Sequence, residues 1–339
     1  MPSPAAPAPR APAVIHHLPN ALPEHPDNPG VPFDLEPVAD VRVNLSAVER
    51  RAATLPGRRT VKKEWQAAWL VRAIECIDLT TLSSDDTEGR VARLCAKAKA
   101  PIRDDLKAAL GLGERRLTVG AVCVYHRFVT TAKRALEGSG IPVAAVSTAF
   151  PAGLAPFETR LREIEASVAD GADEIDTVIT REHVLRGDWQ ALYDEVRAFK
   201  AACGPAHMKT ILGTGDLKTL RNVGKASMVA MMAGSDFIKT STGKEGVNAT
   251  IPVALVMLRA IRAYREATGH IVGFKPAGGI STAKDVMTYE FLMKEELGNA
   301  WLQPGLFRIG ASSLLADIER QLEHFVTGRY ASFDHHAMA

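Results

Sequence analysis

No stretch of the 339-residue chain could cross a bilayer: its apolar runs, of which Pro252 to Leu258 is typical, fall far short of the required length of roughly 18 residues. Cysteine is scarce. Cys76, Cys95, Cys123 and Cys203 are widely spaced and form no C-x-x-C, which excludes a zinc knuckle and a dithiol redox motif and makes a poor disulfide framework. The N-terminus has no apolar segment of the kind a secretory signal needs, so the expected setting is reducing and cytoplasmic. Neither sign of charge dominates: 41 Lys and Arg against 39 Asp and Glu leave +2, which gives no reason to invoke nucleic acid or an anionic membrane as partner. No G-x-G-x-x-G follows the first apolar run, so a dinucleotide crevice is not indicated. What remains, 46% apolar and 24% charged, suits a compact enzyme-sized core.

Proline is abundant in one place only. Eleven of the 20 prolines fall in the first 37 residues, where they interrupt any regular pattern, so residues 1–40 read as a disordered tail. The pairs His16 and His17, and His335 and His336, lie near the two ends and are not expected to hold a metal. Residues 41–72 read as a helical extension in which Trp65, Ala68, Trp69 and Ala73 form the apolar stripe of a capping helix. Residues 73–330 form the main domain, and 331–339 a short C-terminal tail.

Within the main domain, eight short β-branched or apolar runs alternate with longer segments of helical period. The runs are 73–79, 118–125, 142–149, 174–180, 207–212, 236–240, 271–275 and 306–311. The clearest helix spans 251–268: Thr250 can cap it, Pro252 suits its first turn, and Val253, Val256, Met257, Ile261 and Tyr264 share one face. Eight alternating units fit a single α/β domain of the closed (β/α)8 TIM-barrel type better than an open doubly wound sheet. In such a barrel the catalytic groups sit at the C-terminal ends of the strands, so polar residues there become the candidates.

Two lysines stand out. Lys239 closes the sixth run in FIKTSTGK and Lys275 closes the seventh in GFKPAGGI, which places two amines on adjacent strand tips. Like-charge repulsion with desolvation lowers the pKa of one amine, and a neutral amine can attack a carbonyl to form a Schiff base. Taken alone, a lysine here reads more readily as a snorkelling or ion-paired side chain than as a nucleophile. In Asp173-Glu174-Ile175-Asp176 the strand alternation sends Glu174 and Asp176 to one face, where Asp176 could shuttle protons or simply form a core ion pair, and Lys209 on the fifth run could orient it. Gly243, Lys244, Gly278, Gly279, Ser312 and Ser313 follow the sixth, seventh and eighth runs. Exposed backbone N–H groups, a helix start and one cation are what a phosphate requires at that corner of a barrel.

The segments Ile77 to Leu82, Glu174 to Ile179, Asp236 to Gly243, Gly273 to Ile280 and Arg308 to Leu315 resemble, in order and spacing, the signature segments of the deoxyribose-phosphate aldolases, which are class I Schiff-base aldolases. The resemblance runs from about Arg58 to Tyr330. It implies a metal-free barrel needing no cofactor, acting on a sugar phosphate and aldehydes. By resemblance Lys239 is the Schiff-base lysine, Asp176 the proton-transfer carboxylate and Lys275 the lysine that perturbs Lys239. It also places Asp78, Thr80, Leu82 and Thr240 among the substrate-site positions, and Cys123 near the pocket. Two departures are visible. Many family members carry an arginine just after the Gly-Gly turn where this chain has Ser281, and nine residues follow Tyr330, leaving open whether Tyr330 or Phe333 reaches the site. Oligomeric state is left open, with a homo-oligomer possible. A transaldolase-like barrel enzyme and a non-catalytic sugar-phosphate sensor are the rival readings.

Overall fold

Alternation of inward and outward side chains along short parallel strands dictates the architecture. In the computed structural model, which describes residues 22, 26–58, 61–332 and 335–337, the strands are β1 (Ile77–Thr80), β2 (Ala121–Tyr125), β3 (Val143–Ser147), β4 (Glu174–Val178), β5 (His207–Ile211), β6 (Phe237–Lys239), β7 (Gly273–Lys275) and β8 (Ile309–Ala311). Each pairs in parallel with the next from β1 to β7, and β1 also pairs with β8. Bridges from Phe274 to Phe307 and from Ala277 to Gly310 join β7 to β8, so the sheet closes as the sequence rhythm predicts. Outward residues such as Ile77, Leu79, Val122, Ile175, Met208, Ile238 and Phe274 pack under the surrounding helices in one continuous core. The inward set is different in kind: Asp78, Glu174, Asp176, Lys209, Lys239, Lys275 and Arg308 are all buried.

Helix ends follow local chemistry. The helix Ile251–Thr268 is capped by Thr250, whose side chain accepts from the Val253 amide, and Gly269 ends it in the left-handed region at φ 78°. Thr282 and Asp285 form a capping box at the start of Ala283–Leu297. Gly273 is required for a packing reason: a Cβ there would overlap the Phe237 ring that fills the barrel beneath Lys239. No helix among the described residues is long and apolar enough to cross a membrane.

Three boundaries differ from the sequence reading. The first strand does not begin at Ala73, because residues 63–75 continue one helix, Lys63–Glu75, and Cys76 caps it; the Trp65 to Ala73 stripe extends through Ile74. Residues 26–40 are not a free tail. His16 and His17 lie outside the described residues, but Asn28 is fully buried, donating to the Met231 and Ser235 carbonyls at 2.8 and 2.9 Å and accepting from Tyr264 Oη at 3.1 Å. Its own amide donates to Asp236 at 2.9 Å, and Leu35–Ala39 forms a short helix capped by Asp34. Proline density there marks the lack of a ladder, not the lack of packing. At the other end His336 is buried between helix carboxylates, its Nδ1 3.3 Å from Glu319 and its Nε2 3.1 Å from Glu323, so it too is held in place.

The Asn28 contacts give a stability prediction. Asn28→Ala keeps the backbone bond to Asp236 but removes four side-chain hydrogen bonds, the fourth accepted from the Gly30 amide at 3.1 Å, and strands Tyr264 Oη and two carbonyls, an expected cost of about 3 kcal/mol. A calorimetric melt should show Tm falling by several degrees, about 2–4 °C per kcal/mol for a domain this large. Truncation of residues 1–40 should do at least as much, and an unchanged Tm in both variants would show that this segment contributes nothing.

Candidate active site

The strands bring the inward charges into one stacked network. At its base, the Arg308 guanidinium donates from Nη2 to Glu174 at 2.8 Å and from Nη1 to Asp78 at 2.7 Å, and Lys209 pairs with Glu174. Above it, a single oxygen of Asp176, Oδ2, accepts from Lys239 Nζ at 2.6 Å and from Lys275 Nζ at 2.7 Å. Lys275 also pairs with Asp78, and Lys209 lies 3.4 Å from the other Asp176 oxygen. The parallel register sets this convergence, with Lys239 opposite Lys275 across β6 and β7, and Asp176 opposite Lys209 across β4 and β5.

Four cations, Lys209, Lys239, Lys275 and Arg308, face three carboxylates, Asp78, Glu174 and Asp176, and all seven are buried. The cluster is therefore balanced only when one cation gives up its proton. Burial pushes the Lys239 amine below its ordinary value; Asp176 opposes that shift and the Lys275 ammonium adds to it. Burial acts the same way on Lys275, but Asp176 and Asp78 overcome it and hold Lys275 well above the usual lysine range. Asp176 would be raised by burial, yet Lys239, Lys275 and Lys209 together keep it well below the carboxylate range. Two lysines on adjacent strand tips thus diverge, and Lys239 is the one that sheds its proton most easily.

Lys239 is also the member of the cluster that reaches the C-terminal mouth of the barrel. It lines a cavity of about 300 Å³ at the C-terminal ends of the strands, together with Thr80, Leu82, Thr242, Gly243, Lys244, Gly278, Gly279, Ser281, Ser312 and Ser313. Gly243, Gly278 and Gly279, all lining this cavity, have φ of 85°, 82° and 81°, left-handed conformations that glycine adopts without strain. The helix Leu314–Thr327 begins at the same corner with no side chain capping its first turn. A larger groove of about 640 Å³ lies on the outer flank, where residues 31–48 cross the helices Leu220–Met232 and Ile251–Thr268, and none of the charged cluster reaches it.

The description "DeoC/LacD family aldolase" matches residues 72–319, most of the chain. This chain belongs to that aldolase family. Its relatives include proteins named deoxyribose-phosphate aldolase from Bos taurus, 61% identical over 306 residues, and from Homo sapiens, 61% identical over 308 residues. These alignments span 90% of this chain and 96% and 97% of the relatives. A crystal structure of a putative deoxyribose-phosphate aldolase from Toxoplasma gondii ME49 superposes with a TM-score of 0.65 at 22% identity, covering 79% of this chain and 97% of that one, and shares the barrel fold. The family resemblance read from the sequence is borne out.

Within this aldolase the other residues singled out from the sequence fall into two groups. Thr80, Leu82, Gly243, Lys244, Gly278, Gly279, Ser312 and Ser313 line the cavity. Asp78, Lys209 and Thr240 do not. Asp78 and Lys209 are fully buried below it in the charge network, and Thr240 is turned sideways, its Oγ1 accepting from the Ala277 amide at 3.0 Å and so tying the end of β6 to that of β7. Cys123 is buried beside Ala144 and Val146 inside the barrel, where burial pushes its thiol up, and so packs as a small apolar residue. Tyr330 stacks on His324 at 4.1 Å on the outer face of the last helix and does not line this cavity, while Phe333 lies outside the described residues. Arg308 was the functional-site neighbour without a role in the sequence reading. The signal available was an arginine two residues before Gly310, which alternation places on the same inward face of the last strand.

Proposed function

We propose that this protein is a class I deoxyribose-phosphate aldolase, reversibly cleaving 2-deoxy-D-ribose 5-phosphate to D-glyceraldehyde 3-phosphate and acetaldehyde through a Schiff base on Lys239. The observation that carries this reading is the unequal pair: a cavity-lining Lys239 with a lowered pKa and a buried, firmly cationic Lys275, both on one oxygen of Asp176. The names of relatives 61% identical supply the substrate class. The four buried, unpaired cysteines are compatible with a reducing, cytoplasmic setting.

In the cleavage direction, neutral Lys239 attacks C1 of the open-chain aldehyde, and loss of water from the carbinolamine gives an iminium. The iminium accepts the electron pair of the C2–C3 bond once the C3 hydroxyl proton has left, releasing glyceraldehyde 3-phosphate and leaving the enamine of acetaldehyde. Protonation at C2 and hydrolysis return the amine and free acetaldehyde. Asp176 and Lys275 move these protons, Asp176 and Asp78 keep Lys275 charged, and Arg308, itself held by Glu174, fixes Asp78 in place. The phosphate sits among Gly243, Lys244, Gly278, Gly279, Ser312 and Ser313, so its binding energy fixes the carbonyl against Lys239.

Borohydride reduction in the presence of acetaldehyde should leave an ethyl group on Lys239, located by peptide mass mapping. No adduct, or one on another lysine, overturns the assignment, and a sensor or a donor of another shape would give none with acetaldehyde. Ser281 lines the phosphate corner where the resemblance leads one to expect arginine. Ser281→Arg should lower KM for deoxyribose 5-phosphate about threefold to tenfold through a charge-assisted contact, with a smaller effect on unphosphorylated deoxyribose. Equal effects on both sugars would place residue 281 away from the phosphate.

A further inference from the structure

The phosphate turn after β6 belongs to a stretch, residues 240–250, that has no regular secondary structure, so something other than a ladder must fix its shape. Glu245 supplies it. Its carboxylate accepts from the Thr242 amide at 3.0 Å and from Thr242 Oγ1 at 2.6 Å, and Thr242 Oγ1 in turn accepts from the Lys244 amide at 3.1 Å. The Glu245 carbonyl accepts from Asn248 Nδ2 at 3.0 Å, and the Asn248 side chain lies so close to Gly278 that a Cβ there would overlap it. The two glycine turns are thereby set against each other through Glu245 and Asn248.

Glu245 is itself anchored by Arg181, at the start of the helix after β4. One guanidinium joins three loops: Nη2 donates to Glu245 at 3.0 Å, Nη1 to the Ala152 carbonyl at 3.0 Å, and Nε lies 3.0 Å from Asp216 Oδ2. The Arg181 and Glu245 side chains are 14% and 4% exposed, so neither is an idle surface charge. Burial would raise the Glu245 carboxyl, but its bonds to Thr242 and Arg181 bring it below its ordinary value, and it stays ionised beside the turn that receives the phosphate.

We infer that Arg181 and Glu245 are positioning residues for the phosphate end of the substrate: Glu245 shapes the Thr242 to Lys244 turn, and Arg181 both holds Glu245 and cancels a negative charge that would otherwise repel the phosphate dianion. This rests on the phosphate corner of the proposed function and goes beyond it. It orders the variants in a way a simple scaffold does not. Losing Arg181 leaves an uncompensated carboxylate bonded to the turn that receives the anion, so it costs more than losing Glu245, and removing both costs less than removing Arg181 alone.

The test is titration of inorganic phosphate by calorimetry, alongside kinetics on deoxyribose 5-phosphate and on unphosphorylated deoxyribose, with Arg181→Met, Glu245→Gln and the double variant. Expected are a phosphate Kd weakened about tenfold in Arg181→Met and about threefold in Glu245→Gln, with the double variant closer to Glu245→Gln. The loss in kcat/KM should be larger on the phosphorylated sugar by a similar factor. Unchanged phosphate affinity in both single variants, or equal losses on the two sugars, overturns the inference. If Arg181→Met does not fold, Glu245→Gln decides by the same two readouts. Wild-type protein that cleaves neither sugar would refute the proposed reaction, while the phosphate titration still decides the role of Arg181 and Glu245.

Discussion

Lys239→Arg should abolish turnover, with kcat falling by about 10⁴-fold or more, because a guanidinium cannot lose its proton to attack a carbonyl and no other amine of the buried cluster lines the cavity. The charge balance adds a second, less obvious expectation. In wild type the surplus cation of the buried cluster can be discharged at Lys239, whose folded-state pKa is lowered from the ordinary 10.5. A group lowered in this way costs stability wherever its charged form must be held in the fold. The cost is full below the folded pKa, shrinks as pH rises between the two values and vanishes above 10.5. Arginine makes that cost permanent, whereas Lys239→Met removes the surplus charge. Both variants should be inactive and give no borohydride adduct, but Lys239→Met should melt at or above wild type near neutral pH and Lys239→Arg below it. Measurable turnover in either variant would take the nucleophile away from Lys239, and a Lys239→Met protein melting far below wild type would show that its amine stabilises the fold.

The same balance explains what the sequence could and could not disclose. Lys239 and Lys275 were legible because each closes a short apolar run, and a charged residue ending a buried strand is out of place unless it is used. The cavity's glycine turns were legible because a backbone position at positive φ calls for glycine, and the glycines stand in the sequence. Arg308 and Glu174 were not, since 134 residues separate them and their pairing depends on the barrel closing. Asp78 was assigned to the right end of the barrel but the wrong depth, and Thr240, whose side chain turns to the end of β7, to the wrong side of its strand. One strand residue more or less decides whether a side chain meets the cavity or the layer beneath it, and periodicity alone does not set that depth. The segment 26–40 was misread for a related reason. Its anchors, Asn28 to Met231, Ser235 and Tyr264, reach across more than 200 positions in sequence and leave no local pattern. By contrast the helix Glu88–Lys99 carried an ordinary signal, Val91, Leu94, Cys95 and Ala98 on one face, and could have been read.

Replacing the two groups that share the Lys239 contact should move the pH profile in opposite directions. In the proposed mechanism activity requires neutral Lys239, so kcat/KM should fall on the acid side as its amine gains a proton, and the position of that limb reports its pKa. Lys275→Leu takes away the neighbouring ammonium that helps lower the Lys239 pKa, and it leaves Asp176 Oδ2 to Lys239 alone, a stronger attraction for the charged form. Both effects raise the pKa, so the acid limb moves toward alkaline pH, on top of a fall in kcat from the lost proton relay. Asp176→Asn does the reverse: it deletes the group that holds the Lys239 pKa up against burial, so the limb moves toward acid pH while kcat falls. Burial is the larger influence on Lys239 and is present in both variants, so the shift in Lys275→Leu stops short of the free lysine value of 10.5. Full pH profiles of kcat/KM on deoxyribose 5-phosphate would measure both limbs. An unmoved limb in Lys275→Leu would mean that burial alone tunes the nucleophile, and an alkaline shift in Asp176→Asn would mean that Asp176 does not stabilise the Lys239 ammonium and that the proton path runs elsewhere.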